Sequence, residues 1–141
     1  MGILKDSDKK QLETLFAGLS GPVQVLLFTQ KEDCEYCENT QEMLEEVSGL
    51  SDKISLSVHD KDQDAELAQS YGVDKVPAIV LKNEKDYGIR FFGIPAGYEF
   101  ATLVEDIQDV SSGKHDLTPP ILESLGKVDQ PVNIQVLVTP S

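Results

Sequence analysis

The chain contains no tryptophan, only two cysteines, and 12 basic residues against 25 acidic ones. Its net charge of −13 would repel phosphate backbones, which argues against a role in binding nucleic acid. No apolar run approaches the roughly 20 residues that cross a bilayer, and charge follows the N-terminus too closely for a secretory signal. We therefore expect a soluble, cytoplasmic protein that acts neither on nucleic acid nor in a membrane.

The two cysteines, Cys34 and Cys37, are too few and too close together for a structural disulfide framework. Zinc would need two further ligands, and His59 and His115 lack the close pairing of a zinc finger. We therefore expect no metal site, although this spacing alone also fits half of a zinc site or chance. Redox chemistry is the remaining interpretation, because one thiolate can attack a disulfide while a second thiol resolves the mixed disulfide.

What the chain does contain is an orderly alternation of helix and strand patterns. A crossover helix requires the first two strands to be parallel, whereas the last two can pair as a hairpin. The fold class is therefore α/β, with a mixed four-stranded sheet and helices on both faces. The predicted helices span about 7–19, 34–48, 64–71 and 98–110, and the predicted strands span 23–29, 54–58, 78–81 and 90–93.

The cysteine pair is predicted to lie on the first turn of the second helix, with Cys34 at its start and Cys37 one turn in. Free N–H groups and the helix dipole stabilise a thiolate there, so a thiol pKa can fall from about 8.5 to between ~3.5 and ~7.5. Acidic neighbours oppose the thiolate, and we expect a Cys34 pKa in the upper part of that range and a couple that is not strongly oxidising. The neighbours are Glu32, Asp33, Glu35 and Glu38.

A second candidate element, Val76-Pro77, stands directly before the third strand. Proline is tolerated at a strand start simply because it cannot donate to a ladder. The alternative, which we favour given the upstream cysteines, is a cis bond that exposes the Val76 backbone to an extended substrate. Tyr36, between the cysteines, is either a ring packed over the disulfide or a partly exposed spacer.

Three stretches taken together resemble the thioredoxin superfamily, and within it the N-terminal unit of the glutaredoxin-like protein disulfide oxidoreductases of archaea and bacteria. They are the strand leading into Cys34-Glu35-Tyr36-Cys37, Gly72-Val73-Asp74-Lys75-Val76-Pro77-Ala78, and Phe92-Gly93-Ile94-Pro95-Ala96-Gly97-Tyr98-Glu99-Phe100. The resemblance implies a thioredoxin-like fold and two-step dithiol–disulfide exchange on protein disulfides. This exchange reaction needs no cofactor in this chain, and its electrons would come from a thioredoxin-reductase-like flavoprotein.

By that resemblance, Cys34 is the nucleophile, Cys37 the resolving thiol and Pro77 the cis-proline, with Val76 binding the substrate backbone. From its place in the motif loop, we also expect Tyr36 to contact the substrate. The sequence departs from the family at three places. Asp33 stands where thioredoxins have tryptophan, and Phe28 stands where they have a buried aspartate. Residues 94–97 lack the polar and acidic groups that hold glutathione, which favours a protein substrate.

The segment after residue 112 predicts the start of a second thioredoxin-like repeat. A linker and a short helix over 119–125 lead to a Pro-Val strand pattern at 131–139, which repeats residues 22–29 at an offset of about 110. Coincidence of two generic strands is the alternative. On the repeat interpretation, residues 1–112 form the redox unit, and 113–141 belong to a truncated second unit whose own Cys-x-x-Cys would follow Ser141. In a truncated unit the predicted strand Val132–Thr139 would expose an edge, and it would either form an edge-strand dimer or stay disordered.

Two other classes of function remain open. One is a binding module that docks partners through the Val76 edge without redox chemistry. The other is an electron relay that feeds a peroxidase, as in the thioredoxin-like N-terminal domain of an alkyl hydroperoxide reductase flavoprotein.

Overall fold

The computed structural model describes residues 2–139, and every helix and strand predicted for the redox unit is present. Three residues lie outside the described ones: Met1, which begins the predicted redox unit 1–112, and Pro140 and Ser141, which end the predicted second unit 113–141. The elements are α1 Asp6–Phe16, β1 Val23–Thr29, α2 Cys37–Ser48, β2 Ile54–Asp60, α3 Ala65–Ser70, β3 Ala78–Lys82, β4 Ile89–Phe92, α4 Tyr98–Ser112 and α5 Pro119–Leu125.

The four strands form one sheet in the order β2-β1-β3-β4. Strand β1 is parallel to β2 and antiparallel to β3, and β3 is antiparallel to β4, which confirms the predicted mixed sheet. Ala78 pairs with Phe28 on one side and Phe92 on the other. This register places the end of β1, the start of β3 and the end of β4 at the same end of the sheet.

Helices cover both faces of the sheet, as the sequence pattern predicts. Helices α1, α2 and α4 pack on one face, where Phe16, Leu44 and Leu103 are almost or entirely buried. Helix α3 covers the other face through Ala68. Burying one such large apolar side chain contributes about 1.5–3 kcal/mol, so this core supplies the main stabilising term. The buried cluster on the α3 face consists of Leu26, Phe28, Ala68, Val73, Ala78 and Val80.

The predicted strand at residues 132–139 is not formed as part of a sheet. Residues 131–139 are assigned to no helix or strand and are exposed, whereas the preceding helix α5 has the predicted bounds. A strand needs a neighbour to satisfy its backbone groups, and the four-stranded sheet does not include this segment. The second repeat therefore stays a prediction.

None of the helices within residues 2–139 combines the length and apolar character that a bilayer span requires.

An ion pair closes the β3–β4 hairpin. Nη1 and Nη2 of Arg90 donate to the two carboxylate oxygens of Asp86 at 2.9 and 2.7 Å. This bidentate contact lowers the pKa of Asp86 from 3.8 to about 2, chiefly through the hydrogen bonds from Arg90. The carboxyl group thus favours the folded state when ionised.

We expect this pair to make folding stability depend on acid. The folded pKa of Asp86 is lower than its unfolded value, so its contribution is complete above about pH 5 and is lost as the pH falls from about 4 to about 2. Because Asp86 is about one-third exposed, replacing it with asparagine should cost only about 1 kcal/mol near neutral pH. Urea unfolding of Asp86→Asn and of the parent protein near neutral pH and in acid measures this difference.

Asp52→Asn is the matched control, since Asp52 is exposed and forms no ion pair among the described residues. An acid-dependent stability loss of the same size in the Asp86→Asn and parent proteins would show that the pair is not its source.

Candidate functional site

Cys34 and Cys37 form a disulfide, with their Cα atoms 5.6 Å apart. The two sulfur-bearing residues differ in exposure in the direction expected from their order. Cys34 is half-buried, whereas Cys37 is only 4% exposed. A reagent or substrate therefore reaches the first cysteine more easily than the second.

Helix α2 begins at Cys37, so the prediction that Cys34 starts it is wrong. Asp33 has a left-handed backbone with φ of 55°, and residues 35–36 form a turn that leads into the helix. Tyr36 is the N-cap, and no side chain caps the helix. The first N–H groups of α2 are therefore left open at the end from which the Cys34 loop enters, which favours negative charge there.

Two residues shape this loop in ways that hydrophobic periodicity does not predict. Asp33 adopts its left-handed conformation at low cost, because aspartate is one of the few residues with a side chain that tolerate it. Thr40 is fully buried, and its Oγ1 and N donate to the Tyr36 carbonyl at 2.6 and 2.9 Å. A threonine one turn after the second cysteine was the signal for this contact.

The Tyr36 side chain is 45% exposed. This exposure favours the alternative of a partly exposed spacer over a ring packed on the disulfide. Tyr36 lies between the two cysteines in the sequence, and its side chain is accessible at the surface.

The Val76–Pro77 peptide bond is cis, and Pro77 is buried. The Pro77 carbonyl accepts a hydrogen bond from Gly93 N at 2.8 Å. Val76 is half-buried, and its backbone N–H and C=O form no hydrogen bond with any of residues 2–139. Because β3 starts at Ala78 opposite Phe28, the Val76-Pro77 segment and the Cys34 loop project from the same end of the sheet.

A polar cavity of about 460 Å³ opens at the disulfide. Its wall carries both cysteines and three charged residues, Lys31, Glu35 and Glu38. Two acidic groups against one basic group oppose a thiolate, in the direction expected from the sequence. The rest of the cavity wall is formed by Thr29, Gln30 and Gln41.

Away from this wall, at the start of α4, burial raises the pKa of the Glu99 carboxyl group.

Phe28 is completely buried where thioredoxins carry an acid. Its ring centroid lies 5.4 Å from that of His59 and 6.3 Å from that of Tyr71. Asp60 accepts hydrogen bonds from the backbone N–H groups of Asp62 and Gln63, a structural turn contact. Aromatic rings therefore pack around Phe28, and the side chain at this position is not a carboxyl group.

The chain resembles proteins of known function along most of its length. It is 26% identical over 122 residues to the AhpF subunit of alkyl hydroperoxide reductase from Pseudomonas aeruginosa, a match covering 86% of this chain and 21% of that protein. The corresponding protein of Xanthomonas campestris is 27% identical over 118 residues, covering 83% of this chain and 20% of that one. The chain thus spans about a fifth of the length of these curated relatives.

Solved structures give a similar result. A protein disulfide oxidoreductase from Aeropyrum pernix superposes with a TM-score of 0.78 at 27% identity, covering 87% of this chain and 54% of that one. The AhpF protein of Enterococcus faecalis superposes with a TM-score of 0.77 at 31% identity, covering 86% and 59%. The thioredoxin domain family matches residues 23–105, which is more than half of the sequence. The chain therefore belongs to the thioredoxin domain family.

Proposed function

We propose that this protein is a thiol–disulfide oxidoreductase that acts on protein disulfides through Cys34 and Cys37. One observation carries the proposal: a disulfide joins a half-buried cysteine just ahead of a helix to a buried cysteine at the first position of that helix. Thiol–disulfide exchange needs this combination of an accessible attacking thiol and a close resolving thiol. The similarity to a protein disulfide oxidoreductase supports the same chemistry.

In the reducing direction, the Cys34 thiolate attacks one sulfur of a substrate disulfide. The substrate S–S bond breaks, a Cys34–substrate disulfide forms, and the first substrate sulfur leaves as a thiolate. Cys37 then loses its proton and attacks the Cys34 sulfur, which releases the second substrate thiolate and forms the Cys34–Cys37 disulfide. The two cysteines lose two electrons and the substrate gains them. The two protons that the substrate thiolates take up balance the one lost from Cys37 and the one lost when the Cys34 thiolate formed.

The substrate in this proposal is an extended protein segment. The unpaired backbone groups of Val76 can pair with it as one more strand would, and the exposed Tyr36 side chain, two residues after Cys34 in the sequence, is a further contact in this proposal. Residues 94–97, Ile-Pro-Ala-Gly, offer no charged side chain for a glutathione carboxylate. The Pro77 carbonyl accepts a hydrogen bond from Gly93 N, and this bond holds the C-terminal end of the Val76-Pro77 segment.

Continued turnover requires a donor of two electrons, and we propose a thioredoxin-reductase-like flavoprotein acting in the cytoplasm. The similarity to the AhpF proteins of alkyl hydroperoxide reductases supports a second candidate, in which the chain relays electrons from a flavin domain to a peroxidase disulfide. Comparing reduction of a peroxidase disulfide with reduction of insulin distinguishes the two. A strong preference for the peroxidase favours the relay.

We also propose that α5 and residues 131–139 begin a second thioredoxin-like unit. The repeated Pro-Val strand pattern supports this, as does the coverage of only 54% of the Aeropyrum pernix protein. In this chain the exposed apolar segment can pair with the same segment of a second copy.

Replacement of each cysteine should separate the two steps. Cys34→Ser should abolish reduction of insulin, because no thiolate attacks. Cys37→Ser should instead accumulate a mixed disulfide, visible on a non-reducing gel, because the second step is missing. A Cys34→Ser protein that reduces insulin at the normal rate would show that the roles are assigned wrongly.

Limited alkylation of the reduced protein tests the difference in exposure. We expect iodoacetamide to modify Cys34 roughly tenfold or more faster than Cys37, since Cys37 is almost fully buried. Mass spectrometry of the peptides after short exposure measures the ratio, and the unfolded protein, with equal labelling, is the control. Equal rates in the folded protein would contradict the proposed order of reaction.

Edge pairing predicts a dimer that depends on the segment 131–139. Sedimentation velocity at increasing concentration should show a dimer for the parent protein, and Val136→Lys should shift it toward monomer by placing charge on the apolar side. Gln135→Lys adds the same charge at a polar neighbour and should have a smaller effect. A monomer at all concentrations would contradict edge pairing.

A further inference from the structure

Strand β4 and the residue after it hold the segment that carries Val76 at three points. At the end of α3, Arg90 Nε donates to the Tyr71 carbonyl at 2.9 Å. At the other end, Gly93 N donates to the Pro77 carbonyl at 2.8 Å. Between them, Lys75 Nζ lies 4.9 Å from the centroid of the Phe92 ring. Strand β4 and Gly93 therefore contribute contacts near both ends of residues 72–77.

Arg90 is the anchor with the most contacts. Its two terminal nitrogens bind the carboxylate of Asp86, and its Cζ lies 5.5 Å from the centroid of the Tyr71 ring, while Nε reaches the Tyr71 carbonyl. Only 17% of the Arg90 side chain is exposed. A carbonyl at the end of a helix has no partner inside the helix, so this guanidinium satisfies an otherwise open acceptor.

Movement at Tyr71 would be passed on to the segment that follows. Val73 N donates to the carbonyl of Ala68 in α3 at 2.8 Å, so the first residues of the segment move with that helix. Backbone pairing requires an N···O distance of about 2.7–3.2 Å, and a shift of about an ångström at Val76 would lose it. The hydrogen bonds of Arg90 go to Tyr71, Asp86 and Ile89, and none of these bonds reaches the disulfide or the start of α2.

We propose that Arg90 is a positioning residue for substrate recognition, holding residues 72–77 so that the Val76 backbone can pair with a substrate strand. This inference rests on the proposed oxidoreductase function. Lysine cannot replace Arg90, because a single ammonium group cannot bind the Asp86 carboxylate bidentately and also donate to the Tyr71 carbonyl from a separate nitrogen.

The test compares two substrates of the same redox chemistry. Insulin presents a peptide backbone to Val76, whereas hydroxyethyl disulfide has none. We expect Arg90→Lys to lower kcat/KM for insulin about fivefold to tenfold, mainly by raising KM, which corresponds to losing one or two backbone hydrogen bonds. The rate with hydroxyethyl disulfide should change less than about twofold, because the nucleophile is untouched.

Lys82→Gln is the matched control. Lys82 Nζ donates to the Tyr71 hydroxyl at 3.2 Å and lies over the same ring, but it is not bonded to the Tyr71 carbonyl. The control removes one positive charge beside Tyr71 and should leave both reactions within about twofold of the parent. Hydrogen exchange of the amides in 72–77 should accelerate in Arg90→Lys and not in Lys82→Gln.

Asp86→Asn supplies a second variant, since it keeps Arg90 but loosens its guanidinium, and it applies if Arg90→Lys does not fold. It should lower kcat/KM for insulin in the same direction by a smaller factor. Unchanged insulin kinetics in the folded variants, equal losses with both substrates, or an equal effect of Lys82→Gln would overturn the positioning role.

The proposed function fails separately. A parent protein that reduces neither substrate, or an active Cys34→Ser variant, would refute the oxidoreductase proposal itself. A parent protein active on both substrates with an unaffected Arg90→Lys variant refutes only the role of Arg90.

Discussion

The antiparallel pairing of β3 with β1 is the constraint on which the site depends. Because Ala78 lies opposite Phe28, the chain leaves β1 toward Cys34 at the same end of the sheet where it enters β3 from Val76-Pro77. The parallel alignment of β2 adds Asp60 and the turn after it to that end. Residues that are 43 positions apart in the sequence therefore share one end of the sheet through backbone hydrogen bonds alone.

Opposing electrostatic effects act on the Cys34 sulfur at this end of the sheet. The uncapped start of α2 favours a thiolate, whereas the carboxylates of Glu35 and Glu38 in the adjoining cavity oppose it. Phe28 removes the buried carboxyl group that would accept the proton of the resolving thiol in a thioredoxin. In the proposed mechanism the Cys37 proton therefore passes to another acceptor: solvent, the departing substrate thiolate, or the carboxylates of Glu35 and Glu38 in the same cavity.

The sequence patterns located the elements well where burial alone determines them. Strand β1 has the predicted bounds, because a continuous apolar run between proline and a polar loop has few alternatives. The start of α2 was misplaced by three residues, since the left-handed Asp33 and the turn before Tyr36 leave no mark in hydrophobic periodicity. The contacts of Thr40 and Arg90 were missed for a related reason. Each joins a side chain to a carbonyl whose position only the folded chain defines.

In the proposed mechanism, sulfur reactivity and backbone recognition are carried by different parts of the fold. The surroundings of Cys34 come from the end of β1 and the start of α2, whereas the Val76 segment is held from the edge strand β4 through Arg90 and Gly93. An edge strand has only one neighbour, so side chains on β4 can change with less effect on the sheet than side chains on the central strands. If Arg90 has the proposed positioning role, a change there weakens backbone pairing while leaving the sulfur chemistry intact. Such a separation gives a physical route by which affinity for a substrate backbone can change at constant redox chemistry.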